Sequence, residues 1–135
     1  APAVGTAQRA HFYKWLMWLT NTLQSALIIY FYGERWMNEG NAAGAAELKA
    51  NARKKVGAML DQLDAHLGSH GGPWFMGADY TALDAYVFTL CRWTRNFSAA
   101  PAREGPRLGQ YLQRVLGRAA VQRVIANEKL SPPFV

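Results

Sequence analysis

Few side chains in this sequence have the types and spacing that chemistry requires. Cys91 is the only cysteine and lies in an apolar stretch, where burial would raise its pKa and keep it unreactive. His66 and His70 are four residues apart, as zinc ligands on a helix can be, but Gly68 separates them and no third ligand cluster accompanies them. We therefore expect a structural cysteine, histidines on the surface or at a helix end, and no metal site.

The acidic residues also favour structure over acid–base chemistry. Asp61 and Asp64 are three residues apart beside an apolar stripe, which predicts a solvated helix edge rather than a catalytic pair. Thr81 and Asp84 have the spacing of a capping box, in which each side chain accepts a hydrogen bond from the other residue's backbone N–H. The helix that follows is almost wholly apolar, so this cap would satisfy donors that burial leaves without partners. We interpret Asp84 as structural.

One face of the first predicted helix mixes polar and apolar side chains. The residues at i, i+4, i+7 and i+11 share one side of a helix, and here they are Met17, Asn21, Gln24 and Ile28. Such a face suits a ligand cleft or a domain interface. An internal polar layer between packed helices is equally open, because buried amides are normally hydrogen-bonded. The sequence contains no G-x-G-x-x-G, P-loop or G-x-S-x-G motif.

The composition narrows the class of protein. A length of 135 residues suits one domain with a substantial core, and 50% apolar with 18% charged residues excludes disorder. A single cysteine rules out an internal disulfide framework, which agrees with a cytoplasmic location, and the first residues show no secretory signal.

The net charge is +6, but the basic residues are scattered except for the cluster at 53–55, so we expect no nucleic-acid binding. The apolar run 15–32 has polar residues at its middle, which favours a buried helix over a membrane span.

Glycine, proline and polar turn residues divide the sequence into four or five predicted helices. No segment alternates in the manner of a strand, and no hairpin signal appears. The predicted helices cover residues 6–38 with a bend at Gly33, 42–67, 81–97, an apolar stripe from 108 to 116, and a short final helix. The apolar loop 73–77 is expected to pack against the core. The fold class is therefore all-α, an orthogonal bundle of about five helices.

Several short motifs recur in a characteristic order along nearly the whole chain. They are Arg9-Ala10, Trp15-Leu16, Leu63-Asp64, Leu67, the segment 73–77 before Thr81-x-x-Asp84, Arg92-Trp93-Thr94-Arg95 and the segment 118–123. With this order and spacing, the chain resembles the C-terminal domain of a bacterial-type cytosolic glutathione S-transferase. It departs from the family at Leu83, where alanine is usual, and at Ala119, where proline is frequent.

The resemblance implies a detoxifying enzyme in which the thiolate of glutathione, as co-substrate, attacks a small hydrophobic electrophile. Residues 1–5 would be the remnant of an interdomain linker and residues 6–135 the helical domain. The N-terminal thioredoxin-like domain, which binds glutathione and activates its thiol, would be absent from this sequence. The chain alone would bind no cofactor, and its first two helices would form much of a homodimer interface.

The resemblance also implies a substrate-binding role for five residues. The wall of the electrophile pocket would be formed by Met17, Asn21, Gln24, Trp93 and Phe97. A second possibility is a non-catalytic protein-interaction module, because domains of this shape resemble those used for assembly in translation factors and synthetase complexes. The basic charge and the aromatic richness are compatible with that alternative.

Overall fold

All regular structure in the chain is helical. The computed structural model describes residues 1–135. In chain order the elements are α1 (Ala7–Trp18), a π-helical turn (Leu19–Gln24), α2 (Ser25–Tyr32), a 3-10 turn (Gly33–Trp36), α3 (Ala42–Gly68), α4 (Ala82–Arg92), a 3-10 turn (Ala102–Glu104), α5 (Leu108–Leu116) and α6 (Ala119–Asn127). Because α1, the π-helical turn and α2 follow without a break, we call them together the first helical segment. The predicted all-α class with about five helices is confirmed.

The first helical segment begins where the sequence predicts. Thr6 has an extended backbone, and its hydroxyl accepts a hydrogen bond from the Arg9 N–H at 3.2 Å. The regular α-helix is interrupted twice. One interruption is the π-helical turn, which the sequence does not predict, and the other is at the predicted bend, where Tyr32 leaves the helical region with a φ of −132° and Gly33 opens a short 3-10 turn. The π-helical turn contains three adjacent residues of low helix propensity, Thr20, Asn21 and Thr22, and such turns are rare inside α-helices.

The long helix α3 packs against α2 and α5. Asn41 caps it by accepting from the Gly44 N–H at 2.9 Å. Its buried stripe consists of Ala52, Val56, Leu60, Leu63 and Leu67, at spacings of three and four residues. The helix α2 packs along α3, and a single continuous cluster of buried side chains connects these helices with α4 and α5. The predicted range 42–67 is confirmed within one residue.

The loop 73–77 packs inward, as predicted. Phe75 is fully buried, and the loop is closed by two hydrogen bonds between the backbones of Trp74 and Gly77, both at 3.0 Å. Gly77 has a φ of +112°, a backbone conformation that residues other than glycine rarely adopt. The loop therefore inserts its aromatic side chain into the core and reverses direction within four residues.

The helix α4 is shorter than predicted. It ends at Arg92, whereas the sequence pattern predicts a helix continuing to residue 97. The hydroxyl of the buried Thr94 donates to the Cys91 carbonyl at 2.7 Å and accepts from the Ala102 N–H at 2.9 Å. A threonine bonded in this way competes with the helical hydrogen-bond pattern and allows the chain to turn away. Phe97 consequently lies beyond the helix.

The prediction that Asp64 belongs to a solvated edge is wrong. Its carboxylate caps α5, because Oδ1 accepts from the backbone N–H groups of Arg107 at 2.7 Å and Leu108 at 2.8 Å. Oδ2 also lies 3.4 Å from the Arg107 guanidinium, the single ion pair of the chain. The position that precedes α5 is an arginine without a capping hydrogen bond, so the cap comes from α3 instead. Asp61 is exposed, as predicted.

The membrane question raised by the apolar run 15–32 can be answered from the helices. None of them combines the length and the apolar character needed to cross a bilayer.

Candidate functional site

A polar contact joins the mixed face of the first helical segment to α4. The hydroxyl of Tyr86, on α4, lies 2.5 Å from Gln24 Oε1 and 3.1 Å from Thr20 Oγ1. Thr20 in turn donates its hydrogen to the Leu16 carbonyl at 2.9 Å. Gln24 and Tyr86 are both half-buried, so this link lies at the edge of the core rather than within it. The sequence carries no local signal for Tyr86, because its partners are more than sixty residues away.

The five predicted pocket residues occupy different surroundings. Met17 and Asn21 are exposed, Met17 to 49%, whereas Gln24 and Trp93 are half-buried. Phe97 is buried, and its ring packs against Tyr30 with 4.7 Å between ring centroids and lies 4.2 Å below the Arg53 guanidinium carbon. None of the four principal cavities is lined by any of the five. Their substrate-binding role stays a prediction.

The Asp84 carboxylate is the centre of a buried hydrogen-bond network. The capping box of Thr81 and Asp84 is present, with the Asp84 Oδ2 accepting from the Thr81 N–H at 2.7 Å and Thr81 Oγ1 accepting from the Leu83 N–H at 3.2 Å. Oδ1 accepts two further hydrogen bonds, from the Phe75 N–H at 2.8 Å and from the Tyr111 hydroxyl at 3.0 Å. Asp84 is fully buried, so it connects the loop 73–77, α4 and α5.

This network leaves Asp84 no role as a catalytic acid. Both carboxylate oxygens are occupied by donors of the chain, and neither reaches solvent. Burial raises the pKa of the Tyr111 hydroxyl, and the neighbouring charge of Asp84 raises it further, so Tyr111 remains a hydrogen-bond donor. The sequence predicts the Thr81 half of the network but not the Phe75 and Tyr111 contacts, which depend on tertiary packing.

His66 lies at the end of α3, as predicted, but it is not on the surface. It is half-buried, with its ring 4.4 Å from Trp15 and 4.6 Å from Phe75 between centroids, and its Nε2 is 2.8 Å from the Phe75 carbonyl. Burial lowers the pKa of His66 below 6.5, and the nearby His70, Lys14 and His11 lower it further, against the opposing effect of the Phe75 carbonyl. The neutral ring donates from Nε2 to that carbonyl.

The stability of the chain is expected to fall in mild acid because of His66. Below pH 6.5 the unfolded chain binds a proton at His66 that the folded chain does not, so the free energy of unfolding decreases as pH falls toward the lowered pKa. Urea unfolding between pH 7.5 and about pH 5 measures this slope. His66→Gln, whose amide also donates to a carbonyl, serves as the control and should flatten it. An unchanged slope in this variant would show that other groups cause the acid sensitivity.

Cys91 has the structural role that the sequence predicts. It is fully buried, and burial raises the pKa of its thiol. No group of three or more His, Cys, Asp or Glu side chains is placed to hold a metal ion. The nucleophile of any reaction at this domain therefore does not come from Cys91.

Large apolar side chains are exposed along the first helical segment and the 3-10 turn that follows it. We call this set the outer face; its members are each 44% to 51% exposed, and they are Tyr13, Met17, Phe31, Tyr32 and Trp36. Single exposed apolar residues are common on protein surfaces, but a series on one element is typical of an interaction site. Five of the seven exposed large apolar residues of the chain belong to the outer face.

The fold and these contacts define an all-α domain organised around a buried capping carboxylate. Residues 46–114, more than half of the chain, match the family "Glutathione S-transferase, C-terminal domain". The chain belongs to this family. The match includes Asp64, Asp84 and most of α3, together with α4, and ends in α5, whereas the first helical segment lies outside it. No curated protein matches the chain.

Proposed function

We propose that this chain is the helical half of a glutathione transferase and forms one wall of the pocket for a small hydrophobic electrophile. The observation that carries the proposal is the family match over residues 46–114. All the residues that form the Asp84 network lie within that range. A preceding thioredoxin-like domain would bind glutathione as co-substrate, with residues 1–5 as the end of the linker between the domains. The enzyme would be a cytoplasmic protein of detoxification.

In this proposal the reaction is a nucleophilic substitution or addition by the glutathione thiolate. The sulfur donates an electron pair to an electrophilic carbon, a C–S bond forms, and the electrons of the bond that breaks leave with the departing group or move onto an acceptor atom. The helical half binds and orients the electrophile with Met17, Asn21, Gln24 and Trp93, while Phe97 supports the wall from within the core. Activation of the thiol is assigned to the other domain, and Cys91, the only thiol of this chain, is buried and unsuited to that role.

Conjugation activity is expected to require both domains. Glutathione and 1-chloro-2,4-dinitrobenzene should react at the uncatalysed rate in the presence of the purified chain, and faster when the protein also contains a preceding thioredoxin-like domain. The absorbance of the conjugate measures the rate. Turnover by the 135-residue chain alone would contradict the assignment of thiol activation to a second domain.

We further propose that three residues of the outer face, Phe31, Tyr32 and Trp36, contribute to a homodimer through the first helical segment and α3. Phe31 and Tyr32 lie at the end of that segment and Trp36 in the 3-10 turn that follows it, close to the start of α3, and they are 44%, 45% and 51% exposed. Burial of such side chains between two copies would stabilise the dimer by about 25 cal/mol for each Å² of apolar surface removed from water. A second copy related by twofold symmetry would place the same residues on both sides of the interface.

Light scattering tests the dimer. We expect a mass of twice 15.0 kDa for the chain and a shift to 15.0 kDa for Trp36→Glu, which introduces a charge into the proposed interface. Val124→Glu is the matched control, because Val124 is 55% exposed on α6, away from the first helical segment, and its substitution should leave the dimer intact. A monomeric wild-type chain at all concentrations would contradict the proposal.

One observation favours the alternative of a non-catalytic interaction module. None of the five predicted pocket residues lines any of the four principal cavities, whereas the outer face is exposed and open for a partner. The two functions differ in what precedes Ala1 in the coding sequence. A thioredoxin-like segment there supports the enzyme, and a start codon immediately before Ala1 supports the module.

A further inference from the structure

One of the four principal cavities is lined by arginines and glycines and by no acidic residue. It lies between the end of α3 and α5 and has a volume of about 260 Å³. The other three cavities each include at least one aspartate or glutamate. We call it the arginine cavity; the residues that the argument uses are Gly68, Gly71, Gly72, Arg107, Gln110 and Arg114.

Arg114 brings to this cavity a positive charge that no carboxylate of the chain neutralises. The single ion pair of the chain joins Arg107 to Asp64. The Arg114 guanidinium donates from Nη1 to the Pro73 carbonyl at 2.9 Å, which is its only hydrogen bond within the chain, so its remaining N–H groups stay free. That bond also holds an exposed side chain against the protein, which reduces the entropy lost when a ligand binds.

Arg107 supplies a second guanidinium to the same cavity. It directly precedes α5, and its side chain lies against the backbone of Gly68, where a Cβ would be only 2.7 Å from Arg107 Nε. Asp64 contacts Arg107 Nη1 at 3.4 Å but lines the neighbouring cavity and not this one. Two guanidinium groups with free donors therefore line one cavity that contains no carboxylate.

These donors indicate a phosphate group as the ligand. Guanidinium groups bind carboxylate and phosphate oxygens through pairs of parallel, charge-assisted hydrogen bonds. One guanidinium uses both oxygens of a carboxylate, whereas a phosphate group has a third oxygen for a second arginine or for the exposed Gln110 amide. The cavity is slightly smaller than the roughly 300 Å³ at which pockets for drug-sized ligands begin, so it fits a small anion.

We propose that the arginine cavity is a binding site for a phosphate group, with Arg114 as its principal ligand and Arg107 and Gln110 as further donors. The group is carried by inorganic phosphate or by a small phosphomonoester. The site shares no residue with the proposed electrophile wall or with the outer face, so it is a second site on the domain. Because the arginines are exposed, the affinity should decrease as the salt concentration rises.

A titration of the full chain labelled with ¹⁵N tests the site. Sodium phosphate is added at about pH 7.5, and sodium chloride of equal ionic strength serves as the reference anion. We expect saturable shifts of the backbone amide signals of Gly68, Gly71 and Gly72 and of the Gln110 side-chain signal with phosphate only. Shifts that do not saturate, or that are equal for the two salts, would overturn the proposal.

A second titration with phenyl phosphate distinguishes the two sources of the phosphate group. Tighter binding of phenyl phosphate than of inorganic phosphate would identify a small phosphomonoester as the ligand. Weaker binding would identify the free ion. Both results require the same arginines, so each supports the site.

Charge-matched variants separate a built site from the general attraction of a basic protein for anions. Arg114→Gln should weaken phosphate binding by about tenfold or more. Arg123→Gln is the matched control, because it removes the same charge from an exposed position on α6 outside the cavity, and the affinity should stay within about twofold of the wild-type value. Equal losses in the two variants would show that only net charge matters and would refute the site.

Two further variants keep every charge and test the geometry. Arg114→Lys replaces the planar pair of donors by a point charge and should weaken binding by about threefold or more; it also tests Arg114 if the glutamine variant does not fold. In Gly68→Ala the new Cβ would displace the flexible end of Arg107, and binding should weaken by about twofold to threefold. Wild-type affinity in both variants would contradict the roles assigned to the two arginines.

Discussion

Asp84→Ala is expected to lower the free energy of unfolding by about 3–5 kcal/mol, the largest effect of any single polar substitution that we foresee in this domain. A capping box alone accounts for about 1–2 kcal/mol. The structure adds the Phe75 N–H and the Tyr111 hydroxyl as donors to the same carboxylate, and all lie in or at the edge of the core. Removal of the carboxylate would leave these donors without a partner.

Thermal and urea unfolding measure this loss. For a domain of this size we expect the midpoint of thermal unfolding to fall by roughly 10–20 °C. Asp79→Ala is the matched control, because Asp79 is exposed and makes no side-chain hydrogen bond, and it should change stability by less than about 0.5 kcal/mol. Thr81→Ala should cost only about 1 kcal/mol, since it removes the cap and leaves the Asp84 carboxylate in place. An Asp84→Ala chain as stable as the Asp79→Ala chain would refute the network as a source of stability.

Gly109→Ala is expected to destabilise the chain by about 2–3 kcal/mol, although glycine to alanine in a helix normally stabilises. Gly109 lies in the first turn of α5 and is buried against the Arg103 backbone. A Cβ at this position would overlap the Arg103 carbonyl oxygen, and a backbone atom cannot move aside as a flexible side chain can. The 3-10 turn Ala102–Glu104 and α5 would have to separate.

Gly57→Ala is expected to have the opposite effect on the stability of the same chain. Gly57 lies inside α3, and a Cβ there would meet only the end of the Arg53 side chain at 3.7 Å, an ordinary contact. The gain in helix propensity should raise stability by about 0.5–1 kcal/mol. Urea unfolding of both variants compares them directly. If both substitutions changed the free energy of unfolding in the same direction, the steric explanation for Gly109 would be contradicted.

The parts of the fold that the sequence predicts are those determined by local physics. The range of α3, the capping box of Thr81 and the inward packing of the loop 73–77 all follow from spacing and side-chain type. The end of α4 does not, because it depends on a hydrogen bond between Thr94 and Ala102 that forms only when the following turn is in place. Periodicity alone extends the helix by five residues too many.

The site is less predictable than the fold for the same reason. The spacing of Met17, Asn21 and Gln24 indicates a mixed helical face, but Tyr86 and Tyr111 are identified as partners only by tertiary structure. Asp64 illustrates the same limit. Its sequence surroundings indicate a surface charge, while its role is determined by the start of another helix more than forty residues later.

The π-helical turn has a consequence for how this domain could vary among its relatives. A π-helical turn holds one residue more than an α-helical turn, so it acts as a single-residue insertion in an otherwise continuous helix. Removal of that extra residue would turn the π-helical turn into an ordinary α-helical turn and leave α1 and α2 in nearly the same rotation about the helix axis. The change in length would be absorbed within residues 19–24, so Tyr13 and Phe31 on the flanking helices would keep their relative orientation. The contacts of residues 19–24 could thus diverge through a change in chain length while the outer face stays as it is.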